Sequence, residues 1–503
     1  MIGGNVLEHL AFGFSVALTP TYLTYSAVGA LLGTIIGVLP GIGSAGALAL
    51  LLPLVFKLDP TGSIIMLAAA YTGVMYGGST ASILLNVPGD TSAVVACLDG
   101  HQMAKQGRAG PALCIAAIGS FVAGTLSVVG LMLLAPVLAD AALEFSAQDY
   151  FALYVFGLTA VAALGRGSLV KALLAMIIGL VISTVGTDLM GARRFIFGIS
   201  DLQDGIEFLA VPLGLFAVSE VMINSRKLRS GEKLEVLSHK IFISVKEIVE
   251  SIGAIFRGGF IGFFVGVLPG AGAGIASFIS YAVEVQVSKT PEKFGTGEIK
   301  GVAGPESANN AASAGAMVPM LALGIPGSAT TAVMLGAFLI IDVQPGPLLF
   351  MNNPEIVWGL IAALYLGNVM LLILNLPLVG VFVRILYLPM RWLLPAIVVV
   401  AATGVLSKNG AILDVLFMCG FGAIGYYFRK YDFPLAPIIL GTVLGDNMEE
   451  SFRQSMMMTQ GNLWLILDRP IVLTLFALSI LSLFLPRLIS LWAKRDVEVE
   501  EEF

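Results

Sequence analysis

GVLPGIGSAG at residues 37–46 and GVLPGAGAG at residues 266–274 are near-copies of one another, each set inside a long apolar run. Both are poor helix material. Proline removes a backbone donor and clashes with the preceding turn, and glycine weakens a helix by about 1 kcal/mol relative to alanine. In hydrocarbon, a broken backbone survives only where protein buries it or where it lines a watery cavity. Both stretches are therefore expected to be interrupted helices or re-entrant tips in the protein interior. Scattered glycines would be read as close-packing devices between helices. Proline flanked by glycine at matching places in two halves points instead to a binding site. A second pair keeps the same order: VPG at 87–89 follows the first copy and IPG at 325–327 follows the second. Ordered repetition of this kind implies duplication of one structural unit.

The composition sets the environment. Of 503 residues, 57% are hydrophobic and 12% charged, with a mean hydropathy of +0.93. Soluble domains carry about 25% charged residues, so half the usual charge has to cover this chain. Apolar runs near 22–40, 44–56, 62–87, 111–139, 150–164 and 169–187 continue near 252–268, 272–287, 316–341, 355–380, 393–406, 411–428, 434–445 and 470–492. At about 20 residues per crossing they give roughly 10–14 membrane segments. The fold class expected is an all-α polytopic membrane protein of two inverted-topology repeats with re-entrant or broken helices. Residues 1–225 form the first repeat, 226–257 a basic connector and 258–503 the second repeat with an acidic tail. The connector carries Arg226, Lys227, Arg229, Lys233, Lys240, Lys246 and Arg257, which places it on the cytoplasmic side. The first 56 residues hold no Lys or Arg, so the N-terminus is expected outside and no secretory leader is read there. Arg487, Lys494 and Arg495 suggest a cytoplasmic C-terminus, and the acidic run at 496–502 reads as a solvated end.

Several function classes have no support. The net charge is −6 without a basic block, which argues against nucleic acid. Cys97, Cys114 and Cys419 form no CxxC pair, and His9, His101 and His239 stand apart, so neither a disulfide framework nor a metal cluster is legible. Walker A, GxSxG and HExxH sequences are missing, and no enzymatic chemistry or cofactor is expected beyond Na⁺ as a coupling ion.

The polar chemistry sits beside the Gly-Pro breaks. YGGSTASILLNVPGDTSA (76–93) and LGIPGSATTA (323–332) carry hydroxyls and amides, and GPESANNAASAG (304–315) is a dense polar patch between apolar runs. Asn amides donate to carboxylates, freed helix starts suit anions, and carbonyls released by Pro-Gly breaks suit Na⁺. Glu306, Asn309 and Asn310 also fit loop or cap roles, but polar groups at membrane depth are costly and usually functional. Asp90 and Asp99 read as turn residues. Glu449 and Arg453, spaced i,i+4, read as a structural pair.

At these residues the chain resembles the TctA family, the large membrane subunit of tripartite tricarboxylate transporters. The resemblance rests on GVLPGIG, MYGGSTASILLNVPG, DGHQMAKQGRAGPAL, LPGAGAGIASFISY, KTPEKFGTGEIKGVAGPESANNAASAGAMVPML and LGIPGSA, and continues through QPGPLLF, FGAIGYYFRK, PLAPIILGTVLGDNMEESFRQS and DRPI. It implies a multi-pass carrier of the bacterial inner membrane, working with a periplasmic solute-binding protein and a small four-helix membrane subunit. Uptake of a citrate-like carboxylate would be coupled to a Na⁺ or H⁺ gradient. It also implies that the paired LPG and PG loops form the site: Leu39, Pro40 and Gly41, Val87, Pro88 and Gly89, Leu268, Pro269 and Gly270, and Ile325, Pro326 and Gly327. With the flanking polar groups, the substrate candidates are Pro40, Gly41, Ser79, Thr80, Asn86, Pro88, Gly89, Pro269, Gly270, Ser307, Asn309, Asn310, Pro326, Gly327 and Ser328. The coupling-ion candidates are Gly37, Gly266, Glu306 and Gly324. The family pattern has a small hydroxyl residue after the first PG. Asp90 stands there instead, which argues against a close anion contact at that loop. The rival readings are a passive anion channel and a membrane enzyme acting on a lipid-linked substrate.

Overall fold

The structure is a computed structural model and describes residues 5–39, 41–164, 168–188, 190–229, 243–377 and 390–484. Pro40, residues 230–242 of the basic connector and the acidic tail lie outside the described residues. Among the described residues the chain is helical, with one short hairpin, β1 (Gly186–Thr187) paired antiparallel with β2 (Arg193–Arg194). Six helices among the described residues are long and apolar enough to cross a membrane: Pro20–Val38, Pro60–Leu85, Ala109–Ala142, Val245–Val267, Pro354–Asn375 and Ile412–Lys430. This is an all-α, multi-pass membrane protein.

In chain order the helices used below are α1 (Val6–Ala17), α2 (Pro20–Val38), α3 (Gly43–Val55), α4 (Pro60–Leu85), α5 (Ala96–Lys105), α6 (Ala109–Ala142), α7 (Ala147–Leu164) and α8 (Leu169–Ser183). Then α9 (Ala210–Pro212) runs through a π-helical stretch, Leu213–Val218, into α10 (Ser219–Arg229). After residues 230–242 come α11 (Val245–Val267), which takes in the last part of the 226–257 connector, α12 (Gly272–Val287), α13 (Lys300–Gly315), α14 (Met317–Leu323), α15 (Ala329–Ile340), α16 (Leu349–Asn352) and α17 (Pro354–Asn375). Further helices follow at Met390–Asn409, Ile412–Lys430 and Ala436–Met458.

Two compact units share this chain. The first gathers Met1–Leu143, Glu207–Leu268 and Gly272–Tyr427; the second gathers Glu144–Ile206, Pro269–Ala271 and Phe428–Phe503.

In the first unit α4 is the axis. It starts on an Asp59 cap that accepts from Gly62 N at 2.9 Å, with Pro60 at its first position, and it is apolar on every side. A helix apolar all round is a buried one, and every residue from Thr61 to Leu85 is buried. Small residues let α2 lie directly on it. A methyl added at Gly29, Gly33 or Gly37 would stand 2.3, 2.2 or 2.5 Å from the carbonyl oxygens of Met66, Ala70 and Val74. The second copy repeats this seam: methyls at Gly258, Gly262 and Gly266 of α11 would stand 2.2, 2.3 and 2.4 Å from the carbonyls of Gly304, Ala308 and Ala312 on α13. Close backbone packing of this kind is how helices associate where lipid removes the hydrophobic drive. The close-packing role of glycine thus holds for Gly37 and Gly266, while the chain breaks lie a few residues further on.

The breaks fall where proline and glycine place them. α2 ends at Val38 and α3 begins at Gly43, with Gly41 at φ +87° and Gly43 at φ +70°. α11 ends at Val267 and α12 begins at Gly272, with Gly270 at φ +83° and Gly272 at φ +64°. The polar patch at 304–315 is the interior of α13, with Pro305 inside the helix and Gly301 through Gly315 all buried; the loop and cap roles open to Glu306, Asn309 and Asn310 are thereby excluded.

Candidate functional site

Both PG loops follow helices that stop on a left-handed residue. α4 ends on Asn86 at φ 56° and α14 on Gly324 at φ 71°; glycine has no penalty there, and asparagine tolerates it better than most residues. From there each loop folds back onto its own tip. A methyl at Gly89 would lie 2.2 Å from Gly37 O, and one at Gly327 would lie 2.9 Å from Gly266 O. Gly43 N donates to Gly89 O at 3.1 Å. The carbonyls of Gly37 and Gly266 thus abut the glycine of the PG loop in their own half, and Gly324 serves as a helix stop.

The residue after each PG is a cap. Asp90 accepts from Ser92 N at 2.9 Å and Ser92 Oγ at 2.8 Å, opening a short 3₁₀ turn, Thr91–Val94. Ser328 accepts from Thr331 N at 3.2 Å, and Thr331 Oγ1 accepts from Ser328 N at 2.8 Å, a reciprocal capping box that opens α15. Asp90 has a second task. Its Oδ2 accepts from Ser44 N at 2.6 Å and Ser44 Oγ at 2.7 Å, so the start of α3 already holds the protein's own carboxylate. Ser44 Oγ then meets Thr330 Oγ1 at 2.6 Å, joining the first tip to the start of α15 from the other half. Tyr71 of α4 reaches Ser328 Oγ at 3.5 Å. The turn role expected for Asp90 holds; Asp99 lies instead inside α5, fully buried, accepting from Gly297 N, Glu298 N (2.8 Å each) and Tyr281 Oη (2.9 Å).

A second buried polar cluster lies on α13. Glu306, 1% exposed, receives the Ser79 hydroxyl of α4 in a short contact and makes no ion pair among the described residues. Asn310 Nδ2 donates to Ser120 Oγ of α6 at 2.7 Å and to Glu306 O at 3.2 Å. Both amide atoms of Asn309, Asn310 Oδ1, Ser307 Oγ and Tyr76 Oη are buried with no hydrogen-bond partner among the described residues. Such orphans are costly and call for a reason. A cavity of about 10 Å³ opens beside Tyr76, lined also by Ser79, Thr80, Ser120 and Asn375 among apolar neighbours. The two clusters share α4. A methyl at Gly78 would lie 3.5 Å from Asp90 N, while its neighbour Ser79 reaches Glu306.

The sequence candidates thus sort themselves. Gly41, Asn86, Pro88, Gly89, Gly324, Pro326, Gly327 and Ser328 belong to the tips and loops; Ser79, Thr80, Glu306, Ser307, Asn309 and Asn310 belong to the α13 cluster. Pro269 and Gly270 fall in the second unit, where a methyl at Gly270 would lie 2.4 Å from Val161 Cα. Ser44, Thr330, Tyr71, Ser120 and Glu220 are additions. Ser44 and Thr330 stand inside the quoted motifs; Ser120 and Glu220 carry no local signal. Glu220, 5% exposed, bears on the first tip, since a methyl at Gly41 would meet its Oε1 at 2.2 Å, and it accepts from Asn224 Nδ2 at 2.8 Å.

The second unit carries an ion network. Arg453 pairs with Glu449 at 2.7 Å, as its i,i+4 spacing suggests, and with Asp188 at 2.9 Å; Arg194 of the hairpin pairs with Glu449 at 2.9 Å. The Ala192 N–H donating to Asp188 holds that carboxyl below the usual range, helped by Met190 N–H and the two arginines.

Helices that cross a membrane, broken at glycine-proline tips around buried polar side chains, define a multi-pass membrane transport protein. The chain belongs to the tripartite tricarboxylate transporter TctA family, which it matches over residues 23–440. It is 43% identical over 500 residues, 99% of this chain and all of the relative, to the "Uncharacterized 52.8 kDa protein in TAR-I ttuC' 3'region" of Agrobacterium vitis. A second protein of that organism, "Uncharacterized protein in TAR-II ttuC' 3'region", is 43% identical over 242 residues, 48% of this chain and all of the relative. No solved structure matches.

Proposed function

We propose that the chain is the membrane-embedded subunit that imports a di- or tricarboxylate across the bacterial inner membrane, coupled to an ion gradient, with a periplasmic binding protein and a small membrane subunit as partners. Membership of the family supports the class. The observation that carries the site is the 2.6 Å contact of Ser44 and Thr330, which brings the first tip, the first PG loop and the start of α15 to one place. The Ser44 proton goes to Asp90 and the Thr330 proton to Ser44, so Ser328 and Tyr71 are the hydroxyls of this cluster that suit the oxygens of a carboxylate. Because Asp90 caps α3 and a capping box closes α15, the hydroxyls rather than bare helix starts are the recognition groups. The repeated seams and loops support a duplicated, inverted carrier, in which a bound cation offsets the charge of the substrate.

The test is uptake into proteoliposomes holding this chain, a small membrane subunit and a binding protein, with labelled citrate and a panel of dicarboxylates. Saturable uptake that collapses when the Na⁺ or pH gradient is dissipated supports a carrier. Flux linear in concentration and indifferent to gradients would establish a passive channel instead, and chemical conversion of a lipid-linked substrate without transport would establish an enzyme.

A further inference from the structure

We propose that Glu306 is the coupling group and that the ion it binds is a proton. The inference rests on the transport reading above and adds to it the place and nature of the coupling.

An ionised carboxylate taken out of water without a counter-charge is so costly that it takes up a proton or a cation. Glu306 is in that position. Among the described residues, the elements packed on α13 bring Tyr76 (α4) and Cys97 (α5) near it as titratable groups, and both are neutral side chains. α6 brings Ser120 and α14 holds no titratable residue. The surrounding charges are engaged elsewhere. Arg257 of α11 forms a two-pronged pair with Glu284 of α12 at 2.8 and 2.7 Å. Asp99 of α5 is held by Gly297, Glu298 and Tyr281, and Asp90 by Ser44 and Ser92.

Ser79 distinguishes the two charge states. A serine hydroxyl has one proton and two lone pairs. Its Oγ lies 3.1 Å from Met75 O, the carbonyl one turn back, and also in short contact with Glu306 Oε2. One proton cannot serve both acceptors. With the carboxyl protonated, Glu306 O–H donates to Ser79 Oγ and Ser79 O–H donates to Met75 O, and both contacts are filled. When the proton leaves to water, the Ser79 hydroxyl turns to the carboxylate, while Met75 O remains the i−4 acceptor of the helix. No heavy atom moves, and one proton is exchanged with water. The adjoining cavity, about 10 Å³, has room for about one water, enough to deliver that proton. Asn309 is a second polar side chain at that carboxylate, and Asn309 Oδ1, Asn310 Oδ1 and Ser307 Oγ are further buried oxygens on α13. A dehydrated metal cation is therefore the rival occupant, and exchanging K⁺ for Na⁺ in the test below decides between them. Gly78 and Ser79 are consecutive, so the side of α4 that meets Asp90 at the loop cluster adjoins the side that meets Glu306. That adjacency puts the carboxyl one residue along α4 from the loop cluster.

The test begins without substrate. In infrared difference spectra of the purified chain in lipid, raising the pH is expected to remove a protonated-carboxyl C=O band. Glu306→Gln should abolish that band, and Ser79→Ala, which keeps the carboxyl, should shift its frequency. Replacing K⁺ by Na⁺ at fixed pH should leave it in place. A band unchanged in Glu306→Gln, or a band lost on adding Na⁺, would overturn the proposal, the latter in favour of a sodium site. In the complete three-component system, Glu306→Gln should lower pH-driven accumulation of labelled citrate or dicarboxylate at least tenfold, and whatever exchange remains should no longer depend on pH; accumulation close to the unsubstituted level would also overturn it. If the band behaves as expected but no carboxylate is transported by the unsubstituted system, the transport reading fails and the proton site stands.

Discussion

Asp90→Ala is the most informative single change outside the proton site. The carboxylate accepts from Ser44 N at 2.6 Å, Ser44 Oγ at 2.7 Å, Ser92 N at 2.9 Å and Ser92 Oγ at 2.8 Å, and more weakly from Thr91 Oγ1 at 3.4 Å. Losing a cap of this type costs about 0.5–2 kcal/mol. A hydrogen bond to a charged group contributes about 1.5–3 kcal/mol, and the partial exposure of Asp90 lets water replace part of it. The tie to α3 is therefore worth about 1–2 kcal/mol, and the whole substitution about 2–4 kcal/mol. Asp90→Asn keeps one acceptor oxygen but turns an amide NH₂ towards a donor, so about half of that loss is expected. The measurement is reversible unfolding of the purified chain in detergent, followed by circular dichroism, in a double-mutant cycle with Ser44→Ala. A coupling of about 0.5–2 kcal/mol between the two positions is expected. Strict additivity, or Asp90→Ala unfolding like the unsubstituted chain, would refute the claim that Asp90 fastens the first PG loop to the first tip.

Three other outcomes follow from the packing. Gly262→Ala places a methyl 2.3 Å from Ala308 O and should destabilise by about 1–3 kcal/mol or prevent folding, whereas Gly107→Ala, with nothing within 4 Å, carries only the left-handed backbone penalty of about 1–2 kcal/mol; thermal melting in detergent compares them. Asn309→Leu removes two unpartnered polar atoms and should leave melting within about 1 kcal/mol of the unsubstituted chain while abolishing uptake; unimpaired uptake would remove Asn309 from the site. The Asp188 carboxyl is held below its ordinary value, so its contribution to the second unit is complete above the unfolded value near 3.9 and is lost as pH falls through the lower folded value. Asp188→Asn should accordingly flatten the fall in melting temperature between about pH 5 and pH 2.

The local breaks were legible because proline and glycine act through the backbone of their own segment. The GVLPG and PG motifs located both tips and both loops, and the i,i+4 spacing located the pair of Glu449 and Arg453. The polar patch at 304–315 was found but its conformation was not: helix α13 persists through Pro305 because close packing against α4, α6 and α11 on all sides outweighs local propensity. Asp99 looked like a turn residue for the same reason, and its partners, Gly297 and Glu298, come from far along the chain.

What the sequence alone determined was a membrane-embedded helical chain with a repeated GVLPG motif and two places where regular helix fails, since hydropathy and backbone stereochemistry are properties of neighbouring residues. What only the tertiary structure decided was which polar groups meet. Ser44 faces Thr330 across the two halves, Asp90 caps the helix start that an anion would otherwise use, and Ser79 reaches a carboxyl 227 positions away. Side-chain direction at a helix surface depends on which helix lies opposite, and that is set by the glycine seams of α2 on α4 and α11 on α13, whose fit exists only once the chain has folded.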